Sequence, residues 1–148
     1  MTNELTRVLD AIKQDPHGEV ARLVAHWLAV EVMGWKYVDN ERHPEKNHYI
    51  AQGLQGIKTG EWARVMFQDE WQPLTDANHT RMLVLKCGLC RVICQGFVSY
   101  SLKANTEDIR HFELYPYSDN ITHDACQVLR KCHAEGTLTD EILKGFLR

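Results

Sequence analysis

The sequence lacks a long hydrophobic run, and no stretch approaches the roughly 18 apolar residues that mark a membrane-spanning helix. Its first residues, Met1-Thr2-Asn3-Glu4, are polar and acidic. They have neither the basic nor the apolar region of a secretory signal peptide. We therefore expect a cytoplasmic protein with no membrane partner.

Clusters of basic residues are also missing, and the formal net charge is −3. Proteins that bind duplex DNA or RNA usually carry a basic stripe, because neutralised phosphates supply most of the affinity. We therefore expect no nucleic-acid partner.

The sequence contains no phosphate-binding G-x-x-x-x-G-K-[ST] loop, no G-x-G-x-x-G and no G-x-S-x-G. Its glycine-rich stretch, Gln52–Gly60, has the wrong spacing for such a loop and predicts a hairpin. Eight histidines are present, but none forms an H-x-x-x-H or H-E-x-x-H pattern. We predict no catalytic residue and no cofactor. A small metal- or histidine-dependent enzyme, using His43, His48 or His79, stays open as an alternative.

Cysteine is the sharpest candidate for metal chemistry. The count of five is odd and argues against a disulfide framework, and in the cytoplasm the thiols stay reduced. Cys87 and Cys90 form a C-x2-C pair, while Cys126 and His133, seven residues apart, share a helical face. These four residues could ligate zinc. Because cysteine also behaves as a small buried hydrophobe, and Cys132 falls on a predicted core face, we favour no metal site.

What the sequence does contain is the composition of a globular domain. It has 148 residues, of which 44% are hydrophobic and 25% charged. We predict a single domain over residues 1–148, with an N-terminal helix in 1–18 and a C-terminal helix in 137–148 as extensions.

Hydrophobic spacing and turn residues predict the order of the elements. The predicted helices are one from Leu5 to Asp15, one from Glu19 to Met33 closed by Gly34, one from Asp76 to Cys87 capped by Thr75, one capped by Thr122 and closed by Gly136, and a short one capped by Thr139. The predicted strands begin at Trp35, lie on both sides of a turn at Lys58–Gly60, and continue through Val92–Leu102 and Ile109–Tyr115. One long helix over Asp76–Leu102 is the alternative. Strands clustered between helices predict an α+β fold with a mainly antiparallel sheet.

Two local motifs carry a family resemblance. They are Val32-Met33-Gly34-Trp35-Lys36, where a helix runs into a strand, and Trp71-Gln72-Pro73-Leu74-Thr75-Asp76, a Trp-Pro turn before a helix. A weaker third motif is Ile121-Thr122-His123-Asp124-Ala125-Cys126. In this order, over about residues 20–135, they resemble the phage and prophage ABA sandwich family. The resemblance implies a three-layer α/β/α sandwich and a viral origin, and it implies no reaction.

Aromatic and basic residues mix around the central loops and could line a pocket that stacks a base and holds a phosphate. The predicted ligand-binding residues are Trp35, Lys36, Tyr49, Trp62, Arg64, Trp71, His79 and Arg81. The alternative is that the large aromatic side chains only fill the core.

Three functions stay open. The first is a phage or prophage binding protein without catalytic activity that acts in the host cell cytoplasm. It would sequester a host nucleotide-type immune signal, and a homo-oligomer would be compatible with this role. The second is an accessory protein that inhibits a host protein through an apolar patch near Phe146 and Leu147. The third is the small enzyme named above.

Overall fold

The computed structural model describes residues 3–54, 56, 58–87, 89–94, 97–102, 114–116 and 121–148. These residues form an α+β fold, as the sequence predicts. The helices are α1 (Glu4–Gln14), α2 (Glu19–Trp27), α3 (Ala77–Lys86), α4 (Ile121–Ala134) and α5 (Asp140–Phe146). The strands are β1 (Lys36–Val38), β2 (His48–Ala51), β3 (Ala63–Phe67), β4 (Leu89–Cys94), β5 (Phe97–Leu102) and β6 (Leu114–Pro116).

Helix α2 does not end as a regular α-helix. It continues into a π turn over Leu28–Val32, where the Met33 N–H donates to the Leu28 carbonyl five residues earlier at 2.9 Å. Gly34 then adopts φ +74° and ends the helix, which confirms its predicted role as a left-handed C-terminal residue. The chain is thereby turned into β1.

The first sheet has the antiparallel order β1-β2-β3. Tyr37 in β1 lies opposite Tyr49 in β2. At the neighbouring positions, Ile50 in β2 lies between Lys36 in β1 and Arg64 in β3. Because cross-strand partners share a face, the sheet has an inner face that carries the two tyrosines and an outer face that carries Lys36 and Arg64. Tyr49 is buried against the helices, whereas Lys36 and Arg64 are exposed.

The second sheet has the antiparallel order β4-β5-β6, with Leu89 opposite Leu102. Residues 89–94 and 97–102 are therefore strands, and the alternative of one long helix over Asp76–Leu102 is wrong. Helix α3 ends at Lys86, close to the predicted end at Cys87. Gly88 and residues 103–113 lie outside the described part of the chain. Within that part the strands form two sheets, where the sequence predicted one.

Two predicted helix starts are displaced, that of α3 by one residue and that of α4 by two. Asp76, not Thr75, caps α3, because its Oδ1 accepts the N–H groups of Asn78 at 2.8 Å and His79 at 3.1 Å. These backbone hydrogen bonds lower the pKa of Asp76, and the bond from His79 has the largest effect. An ionised cap is favoured over a hydroxyl here by the helix dipole. Helix α4 begins at Ile121 and so already includes Thr122.

Both terminal helices belong to the main core. Helix α1 packs against α2, α4 and α5, and α3 packs against α4. Val8, Leu129 and Leu143 are fully buried where these helices meet. Phe146 is buried and Leu147 is half-buried, so these two residues expose only part of their apolar surface. None of the helices in the described residues is long and apolar enough to cross a membrane.

Candidate functional site

A cleft of about 210 Å³ opens between α2, the inner face of the first sheet and the loop that follows β3. Its lining combines aromatic, amide, imidazole and charged side chains. The lining residues are Pro16, His17, Ala21, Arg22, Ala25, His26, Tyr49, Gln68, Asp69, Trp71, Gln72, Pro73 and Leu74. A cleft with convergent polar groups beside aromatic rings is the usual form of a small-molecule site.

Trp71 forms the aromatic wall of this cleft. Its side chain is buried, and its indole Nε1–H donates to the Ala25 carbonyl of α2 at 2.8 Å. That carbonyl lies shortly before the π turn, an irregularity that is frequent beside functional sites. The ring of Trp35 packs edge-on against Trp71, with centroids 4.7 Å apart. The loop after β3 is therefore attached to α2 by both a hydrogen bond and packing.

His26 and Tyr49 form the polar centre of the cleft. The His26 Nδ1 lies 3.0 Å from the Tyr49 hydroxyl. Burial lowers the pKa of His26 and raises the pKa of Tyr49 well above its usual range. Both groups are therefore neutral at pH 7. In the His26 tautomer protonated at Nε2, the Tyr49 hydroxyl donates to Nδ1, and Nε2–H is left as a donor.

Tyr37 and Gln68 extend this network along the inner face. The Tyr37 hydroxyl donates to Gln68 Oε1 at 2.9 Å, and the Tyr37 ring packs edge-on against His26 with centroids 4.8 Å apart. Burial is the main cause that raises the pKa of Tyr37, and the nearby Asp39 carboxylate adds to it. Two tyrosine hydroxyls and one imidazole are thus held in neutral form beside the cleft.

Helix α3 holds the far side of the loop in place. The Gln72 N–H donates to His79 Nδ1 at 3.0 Å, and the His79 ring packs on Trp71 with centroids 5.2 Å apart. The Thr80 hydroxyl donates to the Pro73 carbonyl at 2.6 Å. These contacts occupy His79 Nδ1, so this residue supports the wall of the cleft.

The eight residues predicted to bind a ligand are divided by the structure. Four of them, Trp35, Tyr49, Trp71 and His79, lie together on the inner side, and of these Tyr49 and Trp71 line the cleft. Three others, Lys36, Trp62 and Arg64, lie at the outer face. Arg81 is exposed on α3.

Sequence reasoning missed the polar residues of the cleft, above all Arg22, His26 and Gln68. One signal was present for two of them. Arg22 and His26 are four residues apart on a predicted helix, a spacing that places both on one face. Gln68 carried no such signal, because only the loop after β3 brings it to α2.

The histidines of the enzyme alternative lie apart in the structure. His79 is engaged with Gln72 on the inner side, whereas the His48 ring contacts Phe67 on the outer face. His43 is exposed and lies 3.3 Å from the Glu45 carboxylate. These three residues do not share a site.

Three residues of the zinc alternative, Cys87, Cys126 and His133, have separate surroundings in the described part of the chain. His133 Nε2 lies 3.0 Å from the Asp140 carboxylate, and burial raises the pKa of Cys126 to about 11. The free thiols of Cys87 and Cys132 are hydrogen-bonded to each other. This contact lowers the pKa of Cys87 and raises that of Cys132. The Cys90 side chain lies outside the described part. In the residues that the structure describes, no group of three or more His, Cys, Asp or Glu side chains could hold a metal ion.

Comparison with known proteins gives no indication of what the cleft binds. No protein-family model, no curated protein and no solved structure matches this chain.

Proposed function

We propose that this is a binding protein without catalytic activity, and that it holds a small nucleotide-type ligand in the cleft beside α2. The observation that supports this proposal is the convergence of His26, Tyr49 and Gln68 next to the Trp71 wall. A base or ribose has hydrogen-bonding edges that these neutral groups can match. At about 210 Å³, the cleft is smaller than the ~300–1,000 Å³ of drug-sized pockets, so it suits one ring of such a ligand.

Among the charged residues of the lining, Arg22 suits the phosphate part of the ligand, and the Asp69 carboxylate suits a donor such as a ribose hydroxyl. Arg22 and His17 are exposed members of the lining, and a guanidinium can contact a phosphate through two parallel hydrogen bonds. A guanidinium nitrogen of Arg22 lies 3.5 Å from a carboxylate oxygen of Glu19, and both side chains are largely exposed. Exposed ion pairs contribute little to stability. Arg22 can therefore turn to a phosphate at small cost.

A thermal-shift screen tests this proposal, with mononucleotides, cyclic oligonucleotides, cyclic ADP-ribose isomers and NAD as ligands. Bound ligand stabilises the folded state by mass action, so we expect a rise of several degrees with at least one nucleotide. Chromatography should recover that nucleotide intact. Conversion to another compound would instead indicate an enzyme.

Arg7 provides a matched control for Arg22. It forms the same i,i+3 ion pair, with Glu4 at 3.3 Å, but on α1 and away from the cleft lining. We expect Arg22→Ala to lose most of the thermal shift and Arg7→Ala to retain it. No shift with any nucleotide, or an equal loss in both variants, would contradict the proposal.

We also propose, from the two local motifs, that the protein is of phage or prophage origin. It would then act in the host cytoplasm by sequestering a nucleotide-type immune signal. The matching fold would be a three-layer α/β/α sandwich, which the helices packed against the inner face of the first sheet support. Because the outer face of the first sheet is exposed at Lys36 and Arg64, the sandwich requires helices on both faces of the second sheet. An experimental structure that shows this would bear the proposal out, and a bare face on the second sheet would contradict it.

A further inference from the structure

The outer face of the first sheet has an unusual composition for a protein of net negative charge. The register places six side chains on this face. They are Lys36, Val38, His48, Ile50, Arg64 and Phe67. None of these six described positions holds a carboxylate, and Lys36 and Arg64 are exposed. The face is therefore locally basic, although the chain as a whole has a formal charge of −3.

Both exposed cations on this face lie against aromatic rings. Lys36 Nζ is 4.0 Å from the centroid of the Trp62 ring, and Arg64 Cζ is 4.5 Å from that of Phe67. Trp62 remains 39% exposed, which is notable for a side chain whose burial is so favourable. Each cation is thus paired with a ring that can also take part in stacking.

The overall charge led us to expect no nucleic-acid partner, but from this local arrangement we propose that the outer face binds single-stranded nucleic acid. Lys36 and Arg64 would contact phosphates, and Trp62 would stack a base. Cationic side chains beside aromatic rings are the common feature of single-strand binding surfaces. The two cations stand on outer strands of a three-stranded sheet, about 10 Å apart. A segment of a few nucleotides can therefore reach both.

The small number of cations on the face favours a single strand over a duplex. Lys36 and Arg64 are the two exposed cations among its six described positions. They can contact only a few phosphates, whereas a duplex has a dense charge that a broad basic stripe would have to neutralise. An acidic peptide could contact the two cations, but it offers no base to stack on Trp62.

Fluorescence anisotropy with a labelled 12-nucleotide oligo-dT tests the proposal in the full-length chain. The control probes are a duplex of equal length and an acidic peptide. We compare the double variant Lys36→Ala, Arg64→Ala with Arg7→Ala, Lys13→Ala, which removes the same charge from α1. We expect the first variant to weaken oligo-dT binding at least tenfold and the second to leave it unchanged.

Two further readouts separate this surface from general electrostatic attraction. Each phosphate contact to a single strand contributes about −0.7 to the slope of log affinity against log salt, so the loss of Lys36 and Arg64 should reduce the slope by about 1.4. The single variant Trp62→Ala should weaken binding about tenfold without changing that slope. All substituted positions are exposed, and thermal melts verify that each variant is folded.

The result that would overturn the proposal is equally definite. It is overturned if oligo-dT does not bind, if the duplex binds as tightly, or if the acidic peptide binds more tightly and depends on the same residues. It is also overturned if the α1 double variant weakens oligo-dT binding as much as the outer-face variant does.

Discussion

At the scale of single residues, the cleft depends on side chains that perform structural and polar roles together. Trp71 is buried in the core, yet its indole N–H also attaches the loop after β3 to the Ala25 carbonyl of α2. His26 lies on α2 and reaches the hydroxyl of Tyr49 in β2. The position of each polar group in the cleft is thus set by a residue that also packs.

Replacement of Trp71 should be costly in stability. In Trp71→Phe the hydrogen bond from the indole N–H to the Ala25 carbonyl is lost, and so is part of the ring volume. That carbonyl keeps the Leu28 N–H as a donor, so the lost hydrogen bond costs about 0.5–1.5 kcal/mol, and we expect the free energy of unfolding to fall by at least that amount. Trp62→Phe, at an exposed position, should change it by less than about 0.5 kcal/mol. Urea denaturation measures both, and equal effects would contradict the role assigned to Trp71.

Protonation of His26 should make stability depend on pH. Burial lowers its pKa in the folded state, while the unfolded chain takes up the proton near the ordinary value of 6.5. Because the unfolded state binds more protons below that pH, the free energy of unfolding should fall as pH drops through about 6.5.

The variant His26→Gln should lose this contribution and depend less on pH than the wild type. The variant His43→Gln, at an exposed position, should follow the wild type. Urea denaturation at pH 7.5 and 5.5 provides the comparison. An unchanged pH dependence in His26→Gln would show that burial does not suppress protonation of this imidazole.

At the scale of elements, the exit of α2 aligns the sheet with the cleft. The π turn and Gly34 direct the chain from the helix into β1 within a few residues. Trp35 then enters the core beside Trp71, and Lys36 lies on the opposite face. A change at this junction would shift both faces of the sheet at once.

The two glycines Gly34 and Gly145 should respond oppositely to alanine. A Cβ added at either position would meet no other atom within 4 Å, so both sites have room for the methyl group. Gly34 has φ +74°, where a side chain costs about 1–2 kcal/mol. Gly145 lies within α5 without a positive φ, where alanine is favoured by about 1 kcal/mol. Thermal or urea denaturation should show Gly34→Ala destabilised and Gly145→Ala stabilised, and the same sign for both would contradict this account.

At the scale of the whole molecule, the core joins the two ends of the chain. Helix α1 packs against both α4 and α5. Leu9, Ile12 and Leu143 are almost completely buried there. The terminal helices, expected from the sequence as extensions of the domain, therefore contribute directly to its hydrophobic core.

Leu143→Ala tests this integration. Leu143 is 0% exposed, and truncation of such a leucine to alanine costs about 2–5 kcal/mol. Leu23 is a leucine on α2 that is 36% exposed, so Leu23→Ala should cost much less. Urea denaturation should show one cooperative transition with a lower midpoint for Leu143→Ala. A separate early transition would mean that α5 unfolds independently.

Several elements were predictable because neighbouring residues decide them. The i, i+3, i+4, i+7 spacing of Leu5, Val8, Leu9 and Ile12 predicts one face of a helix, and all four residues are buried in α1. Thr139 was predicted to cap α5, and its hydroxyl accepts the Ile142 N–H at 3.3 Å. Strand alternation places the neighbouring residues Trp35 and Lys36 on opposite faces of the sheet, so this separation was also predictable. The predicted ligand-binding set combined aromatic and basic residues and assigned both to one pocket.

The sequence by itself determined the α+β class, the antiparallel strand pairing and most helix limits, since these depend on periodicity, caps and turns within a few residues. Only the tertiary structure decided that His26, Tyr49 and Gln68 meet beside Trp71. Their separation along the chain leaves no local pattern, and the packing of α2 on the sheet brings them together. The tertiary structure also decided that the predicted binding residues belong to two surfaces, because strand register assigns each side chain to one face.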